Sequence, residues 1–469
     1  MQYKARLLLA VLSLTINLSS HGAYALCTAP PPVPDTPSIQ VSNAGELAAA
    51  VKAMLSGGRR HIVLAPGRYV IPGELLHIRI PNVTIRGRTG NRDDVIVRGL
   101  GVQGITRQIF LVSASNVTLR DMTVGWVKEH AVQVQGEKNA DNPKLINLRF
   151  VNTGQQMLKV TGLEHSSDNG LVQDSLFEFP DGAAKQDYTG GIDAHQARNW
   201  NVAGNTFKNI RSPNGKLAEH AIHFWSGSAG TIVERNVIVN ADRGIGFGLG
   251  ARSHEGGVIR NNFVHVTRDV GIGLESAANA YVAHNTVVSQ SDYPNAIEYR
   301  FSTTEGVTIA HNLTIGAIRS RQGGSAELIN NVDYAQPGWF ADVDQGDLHL
   351  ALGIPNVRAA AQHTLDIQRD IDCDLRTTLE GVDIGADQTR LSVDASLAVE
   401  APSPIVKELD NALVDTRQAT ARVVTRLRSD PKILFFCSGW RHALFIDVVV
   451  DLGNWQAAQN HARRCPWQV

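Results

Sequence analysis

The sequence predicts an all-β fold: a right-handed parallel β-helix, a solenoid, over residues 41–388, with an N-terminal helical cap and a C-terminal appendage. Two internal repeats predict it. One is a set of short apolar strands that each end in asparagine, and the other is a set of isoleucine-centred strands lying between them. Their spacing, about 20 to 31 residues from rung to rung, is too short for a strand-helix-strand unit with a full crossover helix and suits one coil per repeat.

At the N-terminus, Lys4 and Arg6 precede an apolar run from Leu7 to Leu18, followed by Ala23-Tyr24-Ala25, a small-x-small cleavage pattern. Residues 1–25 are therefore expected to be a signal peptide of bacterial type, with the mature protein secreted or periplasmic. A membrane span needs about 20 consecutive apolar residues, and Asn17, Ser19, Ser20 and His21 interrupt this run too early. Residues 26–40 read as a Pro-rich linker. Asn43 to Met54 carries the caps and apolar spacing of a short helix, and His61 to Tyr69 reads as a strand ended by a Pro-Gly turn. A helix at that point would cover the open end of a strand stack, as solenoids require.

Composition excludes some partners. A formal net charge of -1 with 19% charged residues gives no general attraction to nucleic acid or to an anionic membrane. An anionic ligand must be met by a local patch. The four cysteines, Cys27, Cys373, Cys437 and Cys465, show neither a CxxC pair nor zinc-ligand spacing. In an oxidising compartment Cys27 is expected to bond to Cys373 across the solenoid.

The asparagine repeat includes Trp200-Asn-Val-Ala-Gly-Asn205, Thr231-Ile-Val-Glu-Arg-Asn236, Gly257-Val-Ile-Arg-Asn-Asn262, Tyr281-Val-Ala-His-Asn285, Val307-Thr-Ile-Ala-His-Asn312 and Ala326-Glu-Leu-Ile-Asn-Asn331. Its asparagines are expected to take a left-handed turn conformation and to stack their amides from coil to coil, a structural role.

The second repeat points to function. Successive coils read Gly191-Ile-Asp-Ala-His195, Ala221-Ile-His-Phe-Trp225, Gly244-Ile-Gly-Phe-Gly248, Gly271-Ile-Gly-Leu-Glu275, Ala296-Ile-Glu-Tyr-Arg300 and Ala317-Ile-Arg-Ser-Arg321. If the isoleucines stack inside, the residues one and three places later face outward. One outward row is then Gln133, Lys159, Asp193, His223, Gly246, Gly273, Glu298 and Arg319. The other is Gln135, Thr161, His195, Trp225, Gly248, Glu275, Arg300 and Arg321. With rungs about 4.8 Å apart, Lys159, Asp193, His195 and His223 fall in one sugar-sized patch. Gly246, Gly248 and Gly273 beside them predict a groove with an open floor, with Trp225 at its rim. Three other motifs carry less. Gly99 to Gly104 matches GxGxxG but precedes no helix and reads as a turn. His220 and His223, three apart on a strand, are expected to face opposite sides, with His220 in the core or at a coil corner. Asp242, Arg243 and His254 are expected to support the groove wall, with His254 close enough to reach in.

The coil pattern, the entry segment from Ile62 to Tyr69 and the ending Val382-Asp-Ile-Gly-Ala-Asp387 resemble the pectate-lyase-like superfamily of right-handed parallel β-helices, over most of residues 41–388. That superfamily hosts pectate, alginate and chondroitin lyases, uronan epimerases, glycoside hydrolases and non-enzymatic surface proteins, so the resemblance implies a fold and leaves the reaction open. Gly191-Ile-Asp-Ala-His195 is similar to the Asp-Pro-His motif of mannuronan C5-epimerases, in which the histidine and aspartate work at the sugar C5. Here Ala194 replaces the proline, and Gln196 follows where an acidic residue is common.

The expected function is a polysaccharide lyase or C5-epimerase acting on an anionic, uronic-acid-containing polysaccharide. Its first step removes the proton next to the carboxylate, which requires charge neutralisation, a base and an acid. Lys159, or a divalent cation such as Ca2+, is assigned the neutralising role. His195 or His223 is assigned the base and Asp193 their orientation. Gln133, Trp225, His254, Glu275, Glu298, Arg300 and Arg321 are assigned to substrate binding, and no residue is expected to ligate a metal. The alternatives are a glycoside hydrolase using Glu275 and Glu298, and a non-catalytic polysaccharide-binding surface protein. A monomer is expected. Residues 389–469 continue no coil; Ile405, Leu409, Leu413, Val424 and Leu427 have helical spacing within them.

Overall fold

The computed structural model describes residues 29–389, apart from 74, 352–353, 355, 362–366 and 377–380, and two later strands at 435–440 and 443–448. The chain divides after Thr389 into two compact units. In the second, Phe435–Trp440 pairs antiparallel with Ala443–Val448. The helical spacing read between Ile405 and Leu427 lies outside the described residues.

The first unit is a parallel β-solenoid. A helix, Ala44–Met54, precedes the regular coils; Asn43 caps it by accepting the Glu46 amide at 2.9 Å. Its buried face, Leu47, Ala50, Val51 and Met54, joins the core that contains Ile62 and Leu64. The Pro-rich segment runs along the coils, where the Pro31 carbonyl accepts from Arg120 at 2.7 Å. Thereafter each coil contributes a strand to a ten-stranded sheet and two strands to a twenty-stranded sheet; five coils also add a two-residue strand to a third sheet.

The isoleucines set the register of the ten-stranded sheet. Leu158, Ile192, Ile222, Ile245, Ile272, Ile297 and Ile318 pair in succession along it. Ile192 through Ile297 in this series are fully buried, each worth about 1.5–3 kcal/mol of burial. Inside the solenoid Phe150, Phe177 and Phe207 stack at centroid distances of 4.2 and 4.5 Å. With the apolar residues of this period-2 pattern committed to the core, their neighbours must occupy the other face.

The corner between the two strands of the large sheet is made by the asparagine ladder. Each amide donates to the next Oδ1, from Asn205 to Asn236, Asn262, Asn285, Asn312 and Asn331, at 2.8–3.0 Å. One expectation needs correcting. The left-handed conformation falls on the residue before the ladder asparagine: Gly204, Arg235, Asn261, His284, His311 and Asn330 have φ between 46° and 66°. The ladder side chain must point inward to reach both neighbouring coils, and the turn that aims it is made one residue earlier.

Candidate functional site

The outer face of the ten-stranded sheet carries the polar rows in the expected register. Lys159 pairs with Asp193, Asp193 with His223, His223 with Gly246 and Gly273 with Glu298. Three clusters follow one another along it.

In the first, Lys159 Nζ binds Asp193 Oδ2 and lies 3.0 Å from His195 Nε2. The other carboxylate oxygen, Oδ1, accepts the Trp225 indole N–H at 2.6 Å and lies 3.5 Å from His195 Nε2. Burial raises the Asp193 carboxyl, but the hydrogen bond with His195, Lys159 and the imidazoles of His223 and His195 outweigh it and hold it well below the usual carboxylate range. Asp193 is thus a buried anion that orients its neighbours, while the His195 side chain keeps 25% of its surface open. Gln133, one rung away, accepts from Gln108.

Trp225 is not an open rim. It is 7% exposed, stacks parallel to His223 at 5.3 Å, meets His195 edge-on at 4.4 Å and carries the Arg252 guanidinium 4.8 Å from its ring centre. The geometry assigns it the support of Asp193 and His195.

The second cluster corrects two further expectations. His223 is fully buried although it stands on the outer face, because segments outside the strands fold over it. His220 lies with it, ring centres 4.5 Å apart, rather than on the opposite side. The strand begins only at Ile222, so alternation does not apply at residue 220. The floor is not open either. A β-carbon at Gly246 would stand 2.9 Å from three atoms of the His220 ring, so this glycine makes room for an imidazole. Burial, with the charges of His223 and Arg243, holds His220 well below the ordinary histidine value and hence neutral.

The third cluster is an ion-pair lattice. Arg300 joins Glu275 at 2.7 Å and Glu298 at 3.3 Å. Glu298, 3% exposed, also accepts from Asn295 at 2.6 Å, from Tyr293 and from Arg321. Glu275, Tyr293, Glu298, Arg300, Arg321 and His220 border a cavity of about 370 Å³, within the range of small-ligand sites.

His254 does not reach this face. It is fully buried in the third sheet, stacked on Phe247 at 3.8 Å, with Nε2 2.9 Å from Thr231 Oγ1. Its outward assignment fails because residues 249–253 form a turn that starts a new strand with its own register. Arg243 does help build the wall, through Asp269 at 2.9 Å, while Asp242 pairs with Arg211 and Arg268. Cys373 is disulfide-bonded; Cys27 lies outside the described residues.

Strand-register reasoning missed residues in the segments that lead into and out of the sheet. Tyr188, whose residue surface is largely exposed while its hydroxyl end is partly desolvated near Asp193, has that hydroxyl raised by the desolvation and by the carboxylate. Glu219 and His220 precede the strand Ile222–Trp225, and Arg252 follows Ile245–Phe247 on the next coil. The available signal was the cluster of polar and aromatic residues just before each isoleucine motif.

No protein-family model and no curated protein matches this chain. Among solved structures it is similar to a pectate lyase, Pel9A, at 13% identity over 72% of this chain and 90% of that one, with a TM-score of 0.47. It is similar to an alginate lyase from Paenibacillus sp. str. FPU-7, at 14% identity over 62% of this chain and 97% of that one, with a TM-score of 0.36. A third similarity is to the A-module of the mannuronan C-5 epimerase AlgE4 from Azotobacter vinelandii, at 14% identity over 62% and 95% of the two chains, with a TM-score of 0.34. The chemistry has to be argued from this chain's own residues.

Proposed function

We propose that the protein is a polysaccharide lyase or C5-epimerase that removes the proton next to the carboxylate of a uronic-acid residue. The observation that carries this reading is the arrangement of Lys159, Asp193 and His195: a buried carboxylate, held ionised, with a cation and a partly open imidazole on it. At 3.0 Å the Lys159 ammonium donates to His195 Nε2; once Lys159 turns to the substrate carboxylate, Nε2–H is free to face Asp193 Oδ1, 3.5 Å away, and the Nδ1 lone pair is left to meet a substrate proton. Asp193 then stabilises the imidazolium that forms. Lys159 and Arg252 supply positive charge for the substrate carboxylate; among the described residues Arg252 pairs with no acidic side chain. The Tyr188 hydroxyl, which stays protonated beside Asp193, is assigned the return of a proton.

His223 has no surface from which to act as base. The hydrolase alternative is also weakened. A hydrolase needs one carboxyl that gives up a proton and another that acts on water or sugar, whereas Glu275 and Glu298 are bridged by one guanidinium and surrounded by donors.

The test is product analysis on a panel of uronic-acid polymers. Unsaturated, ultraviolet-absorbing ends identify a lyase, and changed uronate stereochemistry without chain cleavage identifies an epimerase. New reducing ends without unsaturation would overturn the reading in favour of a hydrolase. Binding without any product would leave a polysaccharide-binding surface protein.

A further inference from the structure

We propose that Glu219, His220 and His223 form a binding site for one divalent transition-metal ion of the Zn2+ class. One ligand atom from each of the three lies within 4.8 Å of the others. Glu219 Oε2 and His223 Nδ1 are 3.6 Å apart, close to the edge of about 3.4 Å expected for a tetrahedron with bonds near 2.1 Å.

The second observation is the state of those atoms. His223 is fully buried and His220 is 6% exposed, yet Nδ1 of each, and Oε2 of Glu219, are buried without a hydrogen-bond partner. Buried polar atoms are normally satisfied, and here each of the three residues whose ligand atoms come together carries an unsatisfied one. A protonated His223 paired with Glu219 would satisfy two of them and leave His220 Nδ1 alone. One metal ion satisfies all three.

The surroundings favour the same assignment. His223 Nε2 lies 3.1 Å from the Gly248 carbonyl; as a donor there it leaves the Nδ1 lone pair free, the arrangement by which a backbone acceptor orients a metal-bound histidine. His220 is seated on Gly246, where a β-carbon would meet its ring at 2.9 Å. Two imidazoles and a carboxylate match Zn2+, whereas Ca2+ takes six to eight oxygen ligands. His220 also borders the 370 Å³ cavity, a source of the water or ligand carboxylate that would fill a fourth position. The site does not depend on the proposed reaction, and its test reads binding without substrate.

The experiment is titration of the chelator-treated full-length protein with Co2+ alone, followed by visible absorption and by competition with Zn2+. One equivalent is expected to produce the intense bands of four-coordinate Co2+, displaced by Zn2+. Glu219→Gln and His220→Gln should each weaken binding by about 10-fold or more. His349→Ala, which disables the separate His349, Asp372 and Asp387 group, should leave those bands unchanged. Absence of such bands overturns the proposal, as does their loss in His349→Ala with retention in Glu219→Gln. Because loss of a buried imidazole can itself unsettle the fold, Glu219→Gln, whose side chain is 24% exposed, is the deciding variant. In a second readout, Zn2+ should raise the unfolding temperature of the parent and not that of Glu219→Gln; a parent unmoved by Zn2+ also overturns the site.

Discussion

The His220 imidazole lies against Gly246, with three ring atoms 2.9 Å from where a β-carbon would stand. Gly246 lies in a strand and is absent from the positive-φ positions, so the backbone alone would accept alanine. Such a change is ordinarily stabilising by about 0.4–1 kcal/mol. Here Gly246→Ala should instead destabilise by about 1–3 kcal/mol, the usual cost of overpacking. Thermal unfolding decides the sign; an unfolding temperature above the parent's would show that the ring is not seated there.

His195→Ala should reduce turnover about 100-fold or more, the contribution of a positioned general base, with little change in polymer binding. Arg252→Ala, which removes a cation from the Trp225 face, should raise KM about 10-fold with kcat nearly retained, as loss of uniform binding does. Steady-state kinetics on a substrate the parent converts separates the two. Full activity in His195→Ala would move the reaction centre elsewhere.

Asn236→Ala should be among the most damaging single changes in the coils. Its amide donates to the Val202 carbonyl at 2.9 Å and to Asn262 at 3.0 Å, and its Oδ1 accepts the backbone and side-chain N–H of Asn205 at 3.1 and 3.0 Å. Truncation leaves buried groups without partners, at a total cost of roughly 3–5 kcal/mol. Chemical denaturation measures it. Asn214→Ala, whose exposed amide binds Asp187, should stay within about 0.5 kcal/mol of the parent.

Acid should weaken the solenoid well above the carboxylate range. Burial lowers His254 to about 3, whereas in the unfolded chain a histidine titrates near 6.5. Between those values the unfolded state binds a proton that the folded state refuses, so stability falls as pH drops from about 6.5 toward 3. This single group accounts for roughly 3 kcal/mol of loss by about pH 4. In His254→Gln, denaturation midpoints followed between those pH values should fall less steeply than the parent's. Identical slopes would mean that His254 does not stay neutral on acidification.

The solenoid was legible in the sequence because its repeat is local and periodic. Ile192, Ile222, Ile245, Ile272 and Ile297 each mark an inward position by strand alternation alone, and one correct register fixes which neighbours share the outer face. Asn205 through Asn331 announced a stacked corner for the same reason. That reasoning holds only within strands. It placed Lys159, Asp193 and His195 on one face, yet said nothing of Tyr188, Glu219 or Arg252, which arrive from segments of irregular length with no period to read. It misjudged His220, which lies just before a strand, and His254, which begins a strand with a new register after a turn. The sequence by itself determined the coil, its core and the residues of the polar rows. The tertiary structure alone decided that Asp193 and His223 on those rows are buried, that Gly246 holds an imidazole and that Arg300 ties Glu275 to Glu298. These are contacts between residues brought together by packing across coils and connecting segments, and no one-dimensional pattern records which side chain closes over which.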